Sequence, residues 1–386
     1  MIFFIISLCI SYDEPTVVTI FHPGDEESKY YRIPAIVLAP NGSLITATDK
    51  RINNGGDLPN KIDVVVKTSH DGGITWGPTK LIATGNPKGY GDSSLVVDHE
   101  TGNILCLFNG NNGFFQSTSS DPIRNYISIS KDNGETWSEP RDITYMLYGD
   151  ECDNAERKTW QGMFLSSGAS LQLRSGRIMV VGVVRKNGVS GIFNYAVYSD
   201  DHGETWDIGI SEACSNGDES KVVELNNGDV MMSIRHKPYR FMAISHNKGL
   251  TFDAPVDRPD MVDPACNGDI IRYTSTKDGY DKDRLIFVND HHPSLRENLS
   301  IKISYDEGQT WAVSKVIHAG DCWYASAAIT NDGKIAVYYE RAEGKAAYMD
   351  VVLMSLDWIT DGADTYTPPN TQKAKNKVGR IRHRRN

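Results

Sequence analysis

The chain has 386 residues, with 50 acidic against 40 basic side chains, a formal net charge of −10 and 39% hydrophobic content. That apolar content suffices for a large core, and the acidic balance excludes a surface built broadly for nucleic acid, so an anionic ligand would need a local basic pocket. With 34 glycines, 18 tyrosines, 7 tryptophans and an alternation that rarely persists long enough for a helix, the composition points to an all-β protein.

In chain order, the first feature is an apolar run over residues 2–10. It is too short to span a bilayer, and residues 1–11 read as a signal peptide that lacks a basic leading segment. A secreted or cell-surface location is the expectation, without stable membrane insertion. Cleavage there would remove Cys9 and leave Cys106, Cys152, Cys214, Cys266 and Cys322. An odd set without metal-ligand spacing suggests neither a disulfide framework nor a zinc site.

The pattern Ser-x-Asp-x-Gly-x-Thr-Trp then recurs over residues 69–76, 130–137, 199–206 and 304–311, with a degraded copy over 245–252 that has Asn247 for Asp and Phe252 for Trp. Each part has a physical task. Asp71, Asp132, Asp201 and Asp306 can bond to their own backbone and hold a tight turn, Gly73, Gly134, Gly203 and Gly308 permit positive φ, and the aromatic anchors the turn in a core. Strand-like runs flank each copy, so each box sits in a hairpin. Successive copies lie roughly 45 to 70 residues apart, one blade period plus insertions, which suggests six blades over residues 12–360. Residues 361–386, ending in Lys373, Lys375, Lys377, Arg380, Arg382, Arg384 and Arg385, read as a disordered basic tail.

The boxes resemble the Asp-box of the sialidase (neuraminidase) superfamily over residues 30–343, and the segment Tyr30-Tyr31-Arg32-Ile33-Pro34 is similar to that family's Tyr/Phe-Arg-Ile-Pro motif. The resemblance implies an all-β, six-bladed β-propeller of sialidase type with its boxes on the face away from the site. It also implies a retaining exo-α-sialidase that removes terminal sialic acid from glycoproteins, glycolipids or oligosaccharides, with no metal and no cofactor. Such a substrate carries a carboxylate on its anomeric carbon. Arginine forks suit that anion because they give bidentate, charge-assisted hydrogen bonds and keep their proton.

By that resemblance Arg32, Arg235 and Arg296 form the carboxylate-binding triad, and Glu340 buttresses Arg32. Tyr324 matches the nucleophile position, with Glu219 as its base. A phenol avoids the like-charge repulsion a carboxylate nucleophile would meet, and a tyrosine nucleophile is the recognised exception among glycosidases. Asp57, within Gly55-Gly56-Asp57-Leu58-Pro59, is the expected acid for the leaving oxygen, with Asp63 as the competing reading. Arg51 and Asp92 are expected to contact the sugar. Phe115, Trp160 and Met163 are possible linings for an N-acetyl group. Pro293-Ser294-Leu295 lacks the aromatic that a glycan-acceptor platform would need, which favours hydrolysis over trans-sialidation, although Trp160 or Trp323 could supply one. A non-catalytic propeller that binds a glycan or protein is the remaining alternative.

Overall fold

A computed structural model describes residues 13–85, 87–344 and 346–370. The expected signal peptide and the basic residues from 371 onward lie outside this range. The fold is all-β. Four antiparallel strands, Tyr30–Leu38, Leu44–Arg51, Ile62–Ser69 and Lys80–Ala83, form the first blade. The second is built on Tyr90–Val97, Ile104–Asn111, Ile123–Ser130 and Arg141–Asp142, and the third on Gly162–Leu165, Ile178–Arg185, Phe193–Ser199 and Asp207–Ile208. Ser220–Glu224, Val230–Ile234, Tyr239–Ser245 and Val256–Val262 form the fourth.

Seven further strands hydrogen-bond as one sheet because the strand Val313–Ile329 serves two blades. Its first part, to Asp321, pairs with Glu297–Ser304 and completes a blade with Asp269–Thr274 and Arg284–Asp290. From Cys322 onward it pairs with Ile335–Glu343, which pairs with Ala346–Met354, and the N-terminal strand Thr16–Phe21 closes this last blade. Apolar clusters fill each gap between neighbours. One joins Val37 and Ile45 to Leu95 and Cys106, and another joins Phe21 and Tyr338 to Ile36 and Leu44, which brings the last blade back against the first. The ring is thus closed by burial of alternating inward residues, the β-propeller solution to the edge-strand problem.

The five boxes tie this ring together on one face. In the first, Asp71 Oδ1 accepts from Ile74 N at 3.1 Å and Thr75 N at 2.9 Å, while Oδ2 takes the Thr75 hydroxyl at 2.5 Å. Asn247 still receives Thr251 N at 2.9 Å, so the degraded copy keeps the turn. Each box aromatic packs into the core between its own blade and the preceding one: Trp137 with the first gap, Trp206 with the second, Phe252 with the third and Trp311 with the fourth. A Cβ on Gly134, at φ 86, would lie 2.5 Å from Ile45 Cδ1 on the preceding blade, so a box glycine is needed for both its φ and its closeness.

A cation from the preceding blade then grips the box backbone. Lys80 reaches Gly134 O at 3.2 Å, Arg141 reaches Gly203 O at 2.6 Å, Arg177 reaches Lys248 O at 2.9 Å and Arg258 reaches Gly308 O at 2.7 Å. The last blade has no box. There the short helix Leu356–Ile359, capped by Ser355, sends Trp358 against the core between the last two blades, and Lys315 donates to Trp358 O at 2.5 Å. Residues 361–370 correct the sequence reading of a tail that begins at 361. Asp364 accepts from Arg284 Nε at 2.7 Å, Lys282 at 2.8 Å and Tyr305 at 2.9 Å, and Tyr366 packs on the same core, so this stretch is part of the folded body.

Candidate active site

The site lies at the opposite ends of the strands. Arg32 pairs with Asp49 and Asp49 with Val64, whereas the box residue Ser69 pairs with Leu44, so Arg32 and the boxes occupy opposite faces of the ring. Here the inner strands break their alternation. Ile33 and Pro34 bulge between the pairs Arg32 with Asp49 and Ala35 with Ala47, and Asp92 and Ser93 bulge between Gly91 with Asn109 and Ser94 with Leu107. Trp323 and Tyr324 do the same between Cys322 with Arg341 and Ala325 with Tyr339. Such bulges bend a strand and re-aim side chains. Ile33 at φ 61 and Asp92 at φ 56 sit in the left-handed region, which costs a non-glycine residue about 1–2 kcal/mol. Ile33 is held there by its N–H, which donates to Glu340 Oε1 at 2.7 Å.

Three guanidinium groups converge on one ring. The Cζ atoms of Arg32, Arg296 and Arg235 lie 5.1, 5.7 and 6.0 Å from the centroid of Tyr324. Arg32 Nε donates to Glu340 Oε2 at 2.8 Å, so Glu340 holds both the side chain and the next backbone N–H. Arg296 donates to Ala265 O at 3.3 Å. Arg235 Nη1 donates to Tyr324 Oη at 2.9 Å and also bonds Glu219 Oε2, and the Tyr324 hydroxyl donates to that same Glu219 oxygen at 2.5 Å. Burial raises the Tyr324 phenol well above its ordinary value and the Glu219 charge adds to this, while Arg235 and Arg32 oppose it. The phenol is therefore protonated in the free protein, with a carboxylate placed to receive the proton.

These groups line a cavity of about 510 Å³ together with Asp57, Asp92 and Asp218. Asp57, in the loop between the second and third strands of the first blade, is 79% exposed and accepts from Arg51 Nη1 at 2.7 Å. Asp63 lies within the strand Ile62–Ser69, paired with Lys50, and does not line the cavity. Asp92 N donates to Asp49 Oδ1 at 2.9 Å. Burial pushes the Asp49 carboxyl up to about 6 against the pull of Arg51, and burial together with Asp49 and Asp57 raises Asp92 well above the carboxylate range.

Arg51 departs from the sequence expectation of a sugar contact. It is fully buried, with Nη2 3.0 Å from Asp49 Oδ2, and it is absent from the cavity wall. Its link to the cavity is the bond to Asp57. Of the three suggested apolar linings, Phe115 lines the cavity, whereas Trp160 and Met163 belong to the core between the second and third blades. The wall that sequence reasoning missed is Phe114, Phe164, Leu58 and Ile192. Phe114 packs edge-on to both Phe115 and Phe164, and Arg185 fixes the turn by donating to Phe114 O at 2.6 Å. The usable signal was positional, since the loop that carries Phe114 joins second and third strands as the Asp57 loop does. Trp323 does not line the cavity but lies under Arg32, whose Cζ is 4.9 Å from its ring.

A family model for the BNR repeat-like domain matches residues 53–337. A sialidase of Micromonospora viridifaciens is 34% identical over 343 residues, 83% of this chain and 51% of that protein, so the chain spans about half the length of this relative. A sialidase of Clostridium perfringens is 31% identical over 267 residues, 64% of this chain and 68% of that protein. Among solved structures, the Hadza microbial sialidase Hz136 superposes with a TM-score of 0.81 at 28% identity, covering 89% of this chain and 69% of that one. The intramolecular trans-sialidase of Ruminococcus gnavus shares the fold, with a TM-score of 0.77 at 17% identity over 90% of this chain and 98% of that one. On the match to the family model and to these relatives, the chain belongs to the sialidase superfamily.

Proposed function

We propose that this protein is a retaining exo-α-sialidase that hydrolyses terminal sialosides through Tyr324. The observation that carries the reading is the convergence of Arg32, Arg235 and Arg296 on the Tyr324 ring, with Glu219 2.5 Å from its hydroxyl. The three forks bind the substrate carboxylate and so place the anomeric carbon beside the phenol. Tyr324 Oη attacks that carbon as its proton passes to Glu219, and the glycosidic oxygen leaves with a proton from Asp57. Water then attacks the tyrosyl-linked sugar on the face the leaving group vacated. Asp57 takes a proton from that water, the bond to Tyr324 breaks, and Glu219 returns its proton to the phenolate, so the configuration is retained. Arg51 orients Asp57, Asp92 faces the sugar, and the Phe114, Phe115 and Phe164 wall offers an apolar recess.

Transfer to another glycan is the weaker reading. Leu295, beside the third arginine, is exposed but aliphatic, and Trp323 is taken up beneath Arg32. A fluorogenic sialoside with and without an unsaturated sialic acid analogue tests the proposal. Release of the fluorophore, blocked by the analogue, is expected; release no greater than that of Tyr324→Phe would reject it.

A further inference from the structure

Directly beyond the Glu219 and Tyr324 couple the interior holds two charges that the chemistry above does not use. Side chains two residues apart in a strand share a face. Lys221, in the strand Ser220–Glu224, therefore follows Glu219, whose carbonyl already pairs with Arg235 N at 3.1 Å, and Ser326 stands two residues past the bulged Tyr324 in Val313–Ile329. Lys221 is buried, and its ammonium donates to two uncharged acceptors, Ser167 O and, at 3.2 Å, Asn267 Oδ1. Asp269 is equally buried. Its Oδ2 accepts from Ser326 Oγ at 3.0 Å and Ala327 N at 2.9 Å, while Oδ1 meets no hydrogen-bond partner.

The charged groups that face Lys221 are Asp269 and Glu219, which favour its ammonium form, and Arg240, which disfavours it and is itself paired with Asp263 at 2.8 Å. Burial draws the Lys221 ammonium down to about 8 against Asp269 and Glu219, so it still carries charge at neutral pH. A buried ammonium without a direct ion pair costs stability that a methionine of similar length would not, which argues for a role other than packing.

We propose that Lys221 is a positioning residue for the Glu219 and Tyr324 couple, its ammonium balancing the couple's negative charge on the side away from the cavity while Arg235 does so on the cavity side. The proposal rests on the catalytic reading above. Asp269 anchors the arrangement to the Tyr324 strand through Ser326 and supplies the counter-charge that keeps Lys221 protonated.

The test compares wild type, Lys221→Met and Lys221→Arg by the pH profile of kcat/KM on an aryl sialoside, whose good leaving group relieves the demand on Asp57. Lys221→Met should move the acidic limb up by about one pH unit, a tenfold change in the couple's proton affinity, and lower kcat more than it raises KM. Lys221→Arg, which keeps the charge, should restore the wild-type limb. A Lys221→Met limb that superimposes on wild type, or one that Lys221→Arg shares, would overturn the proposal. A second measurement needs no turnover: the Glu219 carboxyl, followed by carbon-13 NMR in the unliganded protein and assigned with Glu219→Gln, should titrate higher in Lys221→Met. If wild type cleaves no sialoside, the catalytic reading fails and this titration alone decides the pairing. Should Lys221→Met not fold, Lys221→Gln is carried through both measurements, with the same outcomes for and against.

Discussion

The two faces of the ring are organised by opposite rules. On the box face, every blade but the last repeats one eight-residue turn and a core aromatic, and in the second to fifth blades a cation from the preceding blade joins them. Its hydrogen bonds are local, such as Asp71 to Thr75 four residues on. On the other face no sequence motif repeats. Arg32 meets Glu340 across 308 residues and Tyr324 meets Glu219 across 105, and the strands that carry Arg32 and Tyr324 bulge to do so. Repetition builds the scaffold, and departures from it build the site.

That contrast breaks most sharply at Tyr324. Tyr324→Phe removes the oxygen proposed to attack and leaves a ring that still packs against Ile33 and Cys266, so kcat should fall roughly 10³-fold or more while the melting temperature and analogue binding change little. Arg235→Lys should raise KM roughly 10- to 100-fold in steady-state kinetics, since an ammonium cannot serve the substrate, Tyr324 and Glu219 as the fork does. A change within twofold would remove Arg235 from the clamp.

The converse experiment belongs to the box face. Gly134→Ala adds a Cβ 2.5 Å from Ile45 Cδ1 at a φ of 86 and should cost about 1–3 kcal/mol in urea unfolding, with kcat/KM per folded molecule unchanged. The smallest effect is electrostatic. Hydrogen bonds from Thr75, side chain first and then backbone, hold the Asp71 carboxyl at about 2, and Thr136 depresses Asp132 in the same way. A carboxylate whose folded value is depressed stabilises fully above its unfolded value near 4 and loses that contribution as pH falls through the folded value. Urea midpoints should therefore drop as pH falls from about 4 toward 2, and Asp71→Asn should flatten part of the drop. Because these carboxylates are exposed, solvent screening keeps the change modest.

What was legible in the chain follows the same division. The boxes could be read outright because sequence neighbours satisfy one another within them, and their glycines carry the positive φ the turn requires. The arginines, Tyr324, Glu219, Asp57 and Glu340 could be named through a resemblance, but not their mutual geometry, which depends on where bulges turn the strands. Arg51 shows the limit. The family resemblance suggested a sugar contact at this position, while the fold encloses the side chain between Asp49 and Asp57. Phe114, Phe164, Lys221 and Asp269 carry no periodic signal, since an aromatic in a loop or at a strand's end, or a charge in a strand, acquires meaning only from the blade opposite. Residues 361–370 read as tail because their anchors, Arg284 and Lys282, lie some 80 positions earlier in the chain.

The strand Thr16–Phe21 lies beside Ala346–Met354, so the ring is sealed by its earliest and latest described strands. Arg32, on the first blade, and Glu340, on the last, bond across the boundary where those two blades meet. A growing chain can stack its middle blades in order of synthesis, but it cannot bring Arg32 and Arg235 to Glu340 and Tyr324 until the last blade has been made. Competence for ligand would then appear as a late, all-or-none event, after most of the sheet structure is in place.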